Sequence, residues 1–170
     1  ALDGLLEILI EATVQFLTIQ AKAGAEALML FDSWAGAVPA SQRDWLVIKP
    51  ARNIVEKLRQ NGVEIPLIGF PKGIGEGLIA YAHDKGVTAV GLDHGVDPAW
   101  ANIYLPTAMP VQGNLDPLSL ISGGEAMIAD IDHILDCFAD RPHIFNLGHG
   151  ITPATPVDHV RQMIDQVRQR

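Results

Sequence analysis

Five short strings carry most of the chain's chemically capable side chains: "FDSWAG" (31–36), "GFPKG" (69–73), "GLDHG" (91–95), "QGNLDP" (112–117) and "NLGHGITP" (146–153). Between them they hold Asp32, Ser33, Lys72, Asp93, His94, Asn114, Asp116, Asn146 and His149. Five such ends meeting round one mouth would form a hydrogen-bonding pocket, and groups of this kind can move protons. Each string follows a run of apolar residues, and glycines frame several of the polar positions, as where Gly148 and Gly150 enclose His149. The pattern predicts polar groups delivered at the ends of buried strands, with glycines allowing close backbone approach.

Structural alternatives stand beside each. Asp32 or Ser33 can cap a turn, and Asp116 before Pro117 is a helix-start device. Asp93 and His94 are adjacent, so on a strand they point to opposite faces and make a poor chelate. Lys72 reads equally as a solvated charge, Phe31 as core, and Cys137 as helix filler. "GFPKGIGEG" has glycines without the dinucleotide fingerprint, and no Walker pattern occurs.

The elements that position these groups follow from periodicity. Leu2, Leu5, Leu6, Leu9 and Ile10 place one apolar face on an opening helix that Gly24 ends. Apolar runs ending in the five strings then alternate with helical segments, the fullest being "SGGEAMIADIDHILDCFAD" with Met127, Ile128, Ile131, Ile134, Leu135 and Phe138 inward. Strands alternating with helices predict a parallel sheet with right-handed crossovers. Five strands suit a doubly wound domain, whereas a (β/α)8 barrel needs eight strands and about 250 residues. In "VQGNLD", however, Val111, Gly113 and Leu115 alternate with Gln112, Asn114 and Asp116, which suits a strand facing helices on one side and a partly polar lumen on the other. The expectation is therefore an α/β chain of the barrel type, residues 1–170 forming about the last five β/α units of one barrel domain. The opening at Ala1, already inside a helical pattern, fits that expectation.

Composition narrows the functions. Of 170 residues, 12 are Lys or Arg and 20 Asp or Glu, a net charge of -8. No basic cluster for nucleic acid or a membrane surface is visible. No apolar stretch approaches the ~20 residues that span a bilayer. A single cysteine, Cys137, excludes an internal disulfide and a multi-thiolate zinc site, and suits a reducing cytoplasm.

In order and spacing, "QAKAGAEALMLFDSWAG", "PVQGNLDP" and "FNLGHGITPATP" resemble the C-terminal half of the uroporphyrinogen decarboxylase family, in its bacterial form. The resemblance covers nearly the whole chain. It implies a cytoplasmic homodimer of barrels that removes carbon dioxide from the four acetate arms of uroporphyrinogen III to give coproporphyrinogen III, in heme and tetrapyrrole biosynthesis. It implies no metal and no organic cofactor. By motif, Ser33 corresponds to the family's substrate-contacting hydroxyl, His149 to its active-site histidine, and Phe31 to an apolar wall for the macrocycle. Ser33 and His149 are thus expected to face one common cavity. The family's catalytic aspartate, its active-site tyrosine and its arginine-bearing segment have no counterpart in the 170 residues, so the chain by itself is expected to lack activity.

Two rivals differ in class. One is a corrinoid- and zinc-dependent methyltransferase of the same barrel superfamily, which needs cysteine and histidine ligands at strand ends where this chain has "GFPKG". The other is a noncatalytic half-barrel that binds a tetrapyrrole, whose unpaired strand edges would favour self-association.

Overall fold

In the computed structural model, which describes residues 2–84 and 86–170, the opening segment is helix α1 (Leu2–Lys22). Its covered face is Ile10, Val14 and Leu17, spaced four and three apart and packed toward α2 (Lys49–Gln60). That corrects the sequence expectation, since Leu2, Leu5 and Leu9 are about half exposed (45, 51 and 52%). Helical spacing had found an apolar stripe, but α1 is apolar on more than one face. Gly24, at φ +102°, terminates the helix as expected.

The chain divides after Val90 into two units. In the first, β1 (Leu28–Asp32) pairs in parallel with β2 (Leu67–Pro71), Leu28 opposite Leu67 and Asp32 opposite Pro71. A π-helical turn over Asp44–Ile48 leads into α2, and Pro50 lies in the first turn of that helix, where its missing N–H is not needed. The core of this unit is formed by Ile54, Val55 and Leu58 of α2 with Leu28, Leu67 and Leu78. Leu78 belongs to α3 (Gly77–His83), as does Tyr81, for which Gly69 makes room: a β-carbon there would lie 2.4 Å from the Tyr81 hydroxyl oxygen. The third strand, β3 (Ala89–Gly91), continues the parallel pairing on β2.

In the second unit Leu92, just past β3, donates its N–H to the Gln112 carbonyl at 2.8 Å, which sets β4 (Val111–Gln112) beside it. β5 (His143–Ile144) then pairs in parallel with β4. Strands follow one another in chain order, and the fold class is the expected parallel α/β type. Four helices belong here among the described residues: α4 (Pro98–Tyr104), α5 (Pro117–Ser122), α6 (Gly124–Cys137) and α7 (Val157–Gln169). Met127, Ile131, Ile134 and Phe138 of the expected inner face are buried, whereas Ile128 and Leu135 are only half-buried at its margins. The six residues of α5 were not expected as a helix. Asp116 begins it, accepting the Leu118 N–H at 2.9 Å, so its capping role is the one realised.

Candidate functional site

In the first unit the polar groups stand where β1 and β2 end. Pairing runs on beyond the strands, with the Lys72 N–H bonded to the Asp32 carbonyl (3.0 Å) and the Gly36 N–H to the Lys72 carbonyl (2.9 Å). Gly36 and Gly73 let the two loops interlock, since a β-carbon on Gly36 would sit 2.6 Å from the Gly73 oxygen. This fixes the segment that carries Asp32 and Ser33. The Asp32 carboxylate accepts the Trp34 N–H at 3.3 Å, closing a turn around Ser33. Burial raises the Asp32 pKa, and backbone hydrogen bonds from Trp34 and Ala35 oppose the shift. The Ser33 side chain is exposed within that turn.

Two aromatic rings flank the pair. Phe31 is 63% exposed, with its ring edge-on to Phe70 at 5.8 Å between centroids, and Trp34 is 80% exposed. The core reading of Phe31 is thereby corrected, because the β1 face that carries it is uncovered. A cavity of about 460 Å³ opens beside β1, lined by Phe31, Asp32, Ser33 and Trp34 together with Leu9 and Tyr81. Burial pushes the Tyr81 phenol well above its ordinary pKa, and the nearby Asp32 and Asp84 carboxylates add to the shift. Apolar walls with a few polar groups at the rim are the usual lining of a small-molecule pocket.

The second unit gathers the other strand ends. Beyond β4 and β5 the ladder continues, with the Leu115 N–H on the Asn146 carbonyl (3.1 Å) and the Gly148 N–H on the Leu115 carbonyl (2.8 Å). This register carries His149 just past β5, with its imidazole exposed. Its nearest aromatic neighbour among the described residues is His94, ring centroids 6.4 Å apart and planes inclined at 70°. Asn114 is buried, 4% exposed, and its amide donates to the Asp93 carbonyl (3.0 Å) and the Val96 carbonyl (2.7 Å). Sequence reading had Asn114 as a pocket group; its donors instead clamp the loop after β3. Asn146 is exposed and accepts the N–H of Leu147 at 2.8 Å. Cys137 lies in α6, as expected, with its sulfur 3.8 Å from His133 Nε2.

Two functional-looking contacts gave no signal in the sequence. His143 Nε2 lies 2.6 Å from the Gly113 carbonyl, and the Arg141 guanidinium donates to carbonyls at the end of α4. Both depend on pairing across some 30 or more residues, which local pattern does not reveal. Among the described residues no three His, Cys, Asp or Glu side chains stand together as a metal-binding group.

Parallel strands whose helices follow in alternation, with hydroxyl, carboxyl and imidazole groups at the strands' C-terminal ends, are the pattern of the β/α-barrel fold. The solved structure of a methyltransferase from Methanosarcina mazei shares this fold, with a TM-score of 0.80 over 96% of this chain and 48% of that one at 17% identity. The family model for uroporphyrinogen decarboxylase matches residues 1–170. A uroporphyrinogen decarboxylase from Maricaulis maris is 49% identical over 100% of this chain and 49% of its own length. Another, from Sphingopyxis alaskensis, is 51% identical over 99% of this chain and 49% of its own length. The chain belongs to the uroporphyrinogen decarboxylase family. It spans about half the length of these curated relatives, corresponding to their C-terminal half.

Proposed function

We propose that this chain supplies substrate-binding groups to a uroporphyrinogen decarboxylase, a cytoplasmic, homodimeric single-barrel enzyme that converts the four acetate arms of uroporphyrinogen to methyl groups. The observation that carries the reading is the family match along all 170 residues, with relatives near 50% identity that bear that name. The single Cys137 and the lack, among the described residues, of a helix long and apolar enough to cross a membrane support the compartment.

In each round the bond between an arm's methylene carbon and its carboxylate breaks, and carbon dioxide leaves. The electron pair flows into the protonated pyrrole, a proton delivered to the methylene carbon completes the methyl group, and the ring then gives up its extra proton, so that one proton is consumed for each carbon dioxide released. The substrate is its own electron sink, so the protein's tasks are holding carboxylates, walling off the ring and managing protons. A positioned proton donor contributes about 10²–10⁴ in rate. Ser33 and His149 donate hydrogen bonds to substrate carboxylates, and Phe31 is the apolar wall against which the macrocycle rests.

Their placement supports these roles. Ser33 sits in a turn fixed by Asp32, Phe31 is uncovered on the same strand, and His149 is held past β5 by continued ladder bonds. A chain of net charge -8 does not attract an octacarboxylate by its overall field, so local donors must do the binding. This assigns binding to the residues named and leaves the principal acid outside them. The methyltransferase rival is disfavoured by its donor chemistry, since "GFPKG" closes β2 without a thiol or imidazole and Cys137 lies in α6.

The test is turnover of uroporphyrinogen III by the complete gene product, with products separated by carboxyl number. Stepwise loss of four carboxyls ending in coproporphyrinogen III is expected, with no turnover by the 170-residue chain alone. A complete gene product that leaves uroporphyrinogen unchanged would overturn the reading.

A further inference from the structure

In the second unit three strand ends converge on a second imidazole. The His94 N–H donates to the Gly148 carbonyl at 3.3 Å, one residue before His149. Gly148 presses so close that a β-carbon on it would lie 2.2 Å from the His94 nitrogen and 2.6 Å from its Cα. From the β4 side the Asn114 amide grips the Asp93 and Val96 carbonyls, at 3.0 and 2.7 Å. Asp93 Oδ1 accepts the Gly95 N–H at 2.8 Å. The backbone is therefore tied on both sides of His94 while its ring, like that of His149, remains exposed.

Resting on the decarboxylase reading, we propose that His94 is a second carboxylate-binding residue, and that His94 and His149 together hold the two neighbouring arms of one pyrrole ring. Each pyrrole of uroporphyrinogen bears an acetate and a propionate on adjacent carbons, so recognising one ring calls for two donors a few ångströms apart. The two imidazoles meet that requirement, with centroids 6.4 Å apart on backbones bonded to each other. A neutral imidazole offers one N–H and its cation two, both suited to carboxylate oxygens. One imidazole alone would let the ring pivot about a single arm. Two at fixed separation set its register, and a backbone already tied down leaves only side-chain freedom to lose on binding. His94 is accordingly a specificity-determining residue, choosing how a pyrrole ring lies rather than performing the proton transfer.

The experiment compares wild type, His94→Ala and His94→Asn in the complete gene product, measuring kcat and KM for uroporphyrinogen III, affinity for oxidised uroporphyrin III by tryptophan fluorescence, and the urea midpoint. Loss of a hydrogen bond to a charged group is expected to raise KM and weaken porphyrin binding about tenfold in His94→Ala. The loss should fall on KM rather than kcat, the urea midpoint should hold, and His94→Asn, which keeps an N–H donor, should recover much of it. Unchanged KM and porphyrin affinity in an active enzyme would overturn the proposal and leave the decarboxylase reading intact. A loss that His94→Asn does not recover and that accompanies a lowered urea midpoint would make His94 structural and overturn it also. Absence of wild-type turnover would instead defeat the decarboxylase reading, and the porphyrin affinities of wild type and His94→Ala would still decide whether His94 binds carboxylates.

Discussion

His143 is hydrogen-bonded to Gly113, its Nε2 lying 2.6 Å from the glycine carbonyl oxygen across the β4–β5 pair. The ring also packs on Phe138, with centroids 4.8 Å apart. Burial pushes the His143 pKa below its ordinary value of 6.5, and the bond to Gly113 opposes the shift. The unfolded chain therefore takes up a proton more readily than the folded one. Stability from this group is complete above 6.5 and is lost as pH falls through 6.5 toward the folded value. Urea midpoints measured from neutral to mildly acidic pH should decline more steeply in wild type than in His143→Gln, which keeps a donor but does not titrate. Parallel profiles would refute the assignment.

Arg141, only 7% exposed, donates to the carbonyls of Ala101, Leu105 and Pro106 at 3.4, 3.2 and 3.1 Å. The Ala101 and Pro106 carbonyls also accept the N–H groups of Leu105 (3.0 Å) and Met109 (2.9 Å), so the Leu105 carbonyl is the one that depends on the guanidinium. Arg141→Ala should destabilise the fold by about 1–3 kcal/mol through the lost charge-assisted hydrogen bonds and the Leu105 carbonyl left unpaired. Arg141→Lys should recover less than half, because an ammonium cannot span the same fork of acceptors. Chemical denaturation measures both, and an alanine variant as stable as wild type would contradict the role.

Gly148 and Gly150 flank the same histidine and should behave differently. A β-carbon at Gly148 would collide with the His94 backbone at 2.2 Å, whereas nothing lies within 4 Å of one at Gly150. Gly148→Ala should cost about 1–3 kcal/mol from overpacking, and Gly150→Ala should stay within about 0.5 kcal/mol of wild type. Equal effects in denaturation would show that the β3 and β5 ends do not touch in solution.

Much of this architecture was legible in the residues. Gly24, at positive φ, marked the end of α1, and the apolar runs before "FDSWAG" and "GFPKG" marked β1 and β2. The polar residues of "VQGNLD" divided: Asp116 took its capping place, and Asn114 turned to the loop after β3. Other features depended on what each element packs against. Helix α1 offers several apolar faces, and only contact with α2 selects Ile10, Val14 and Leu17. Phe31 has a core residue's chemistry but stands on an uncovered strand face. Helix α5 is too short for periodicity to show. The Asn114 clamp and the meeting of His94 with Gly148 arise from register between distant segments, to which spacing within any one motif is blind.

The account rests on strand-end groups of this chain touching the tetrapyrrole's carboxylates, and a crystal structure of the complete gene product with coproporphyrinogen bound tests that most directly. The Ser33 hydroxyl and a His149 ring nitrogen are each expected within about 2.6–3.2 Å of a carboxylate oxygen, with Phe31 against the macrocycle. A bound tetrapyrrole that leaves both Ser33 and His149 facing solvent would contradict it.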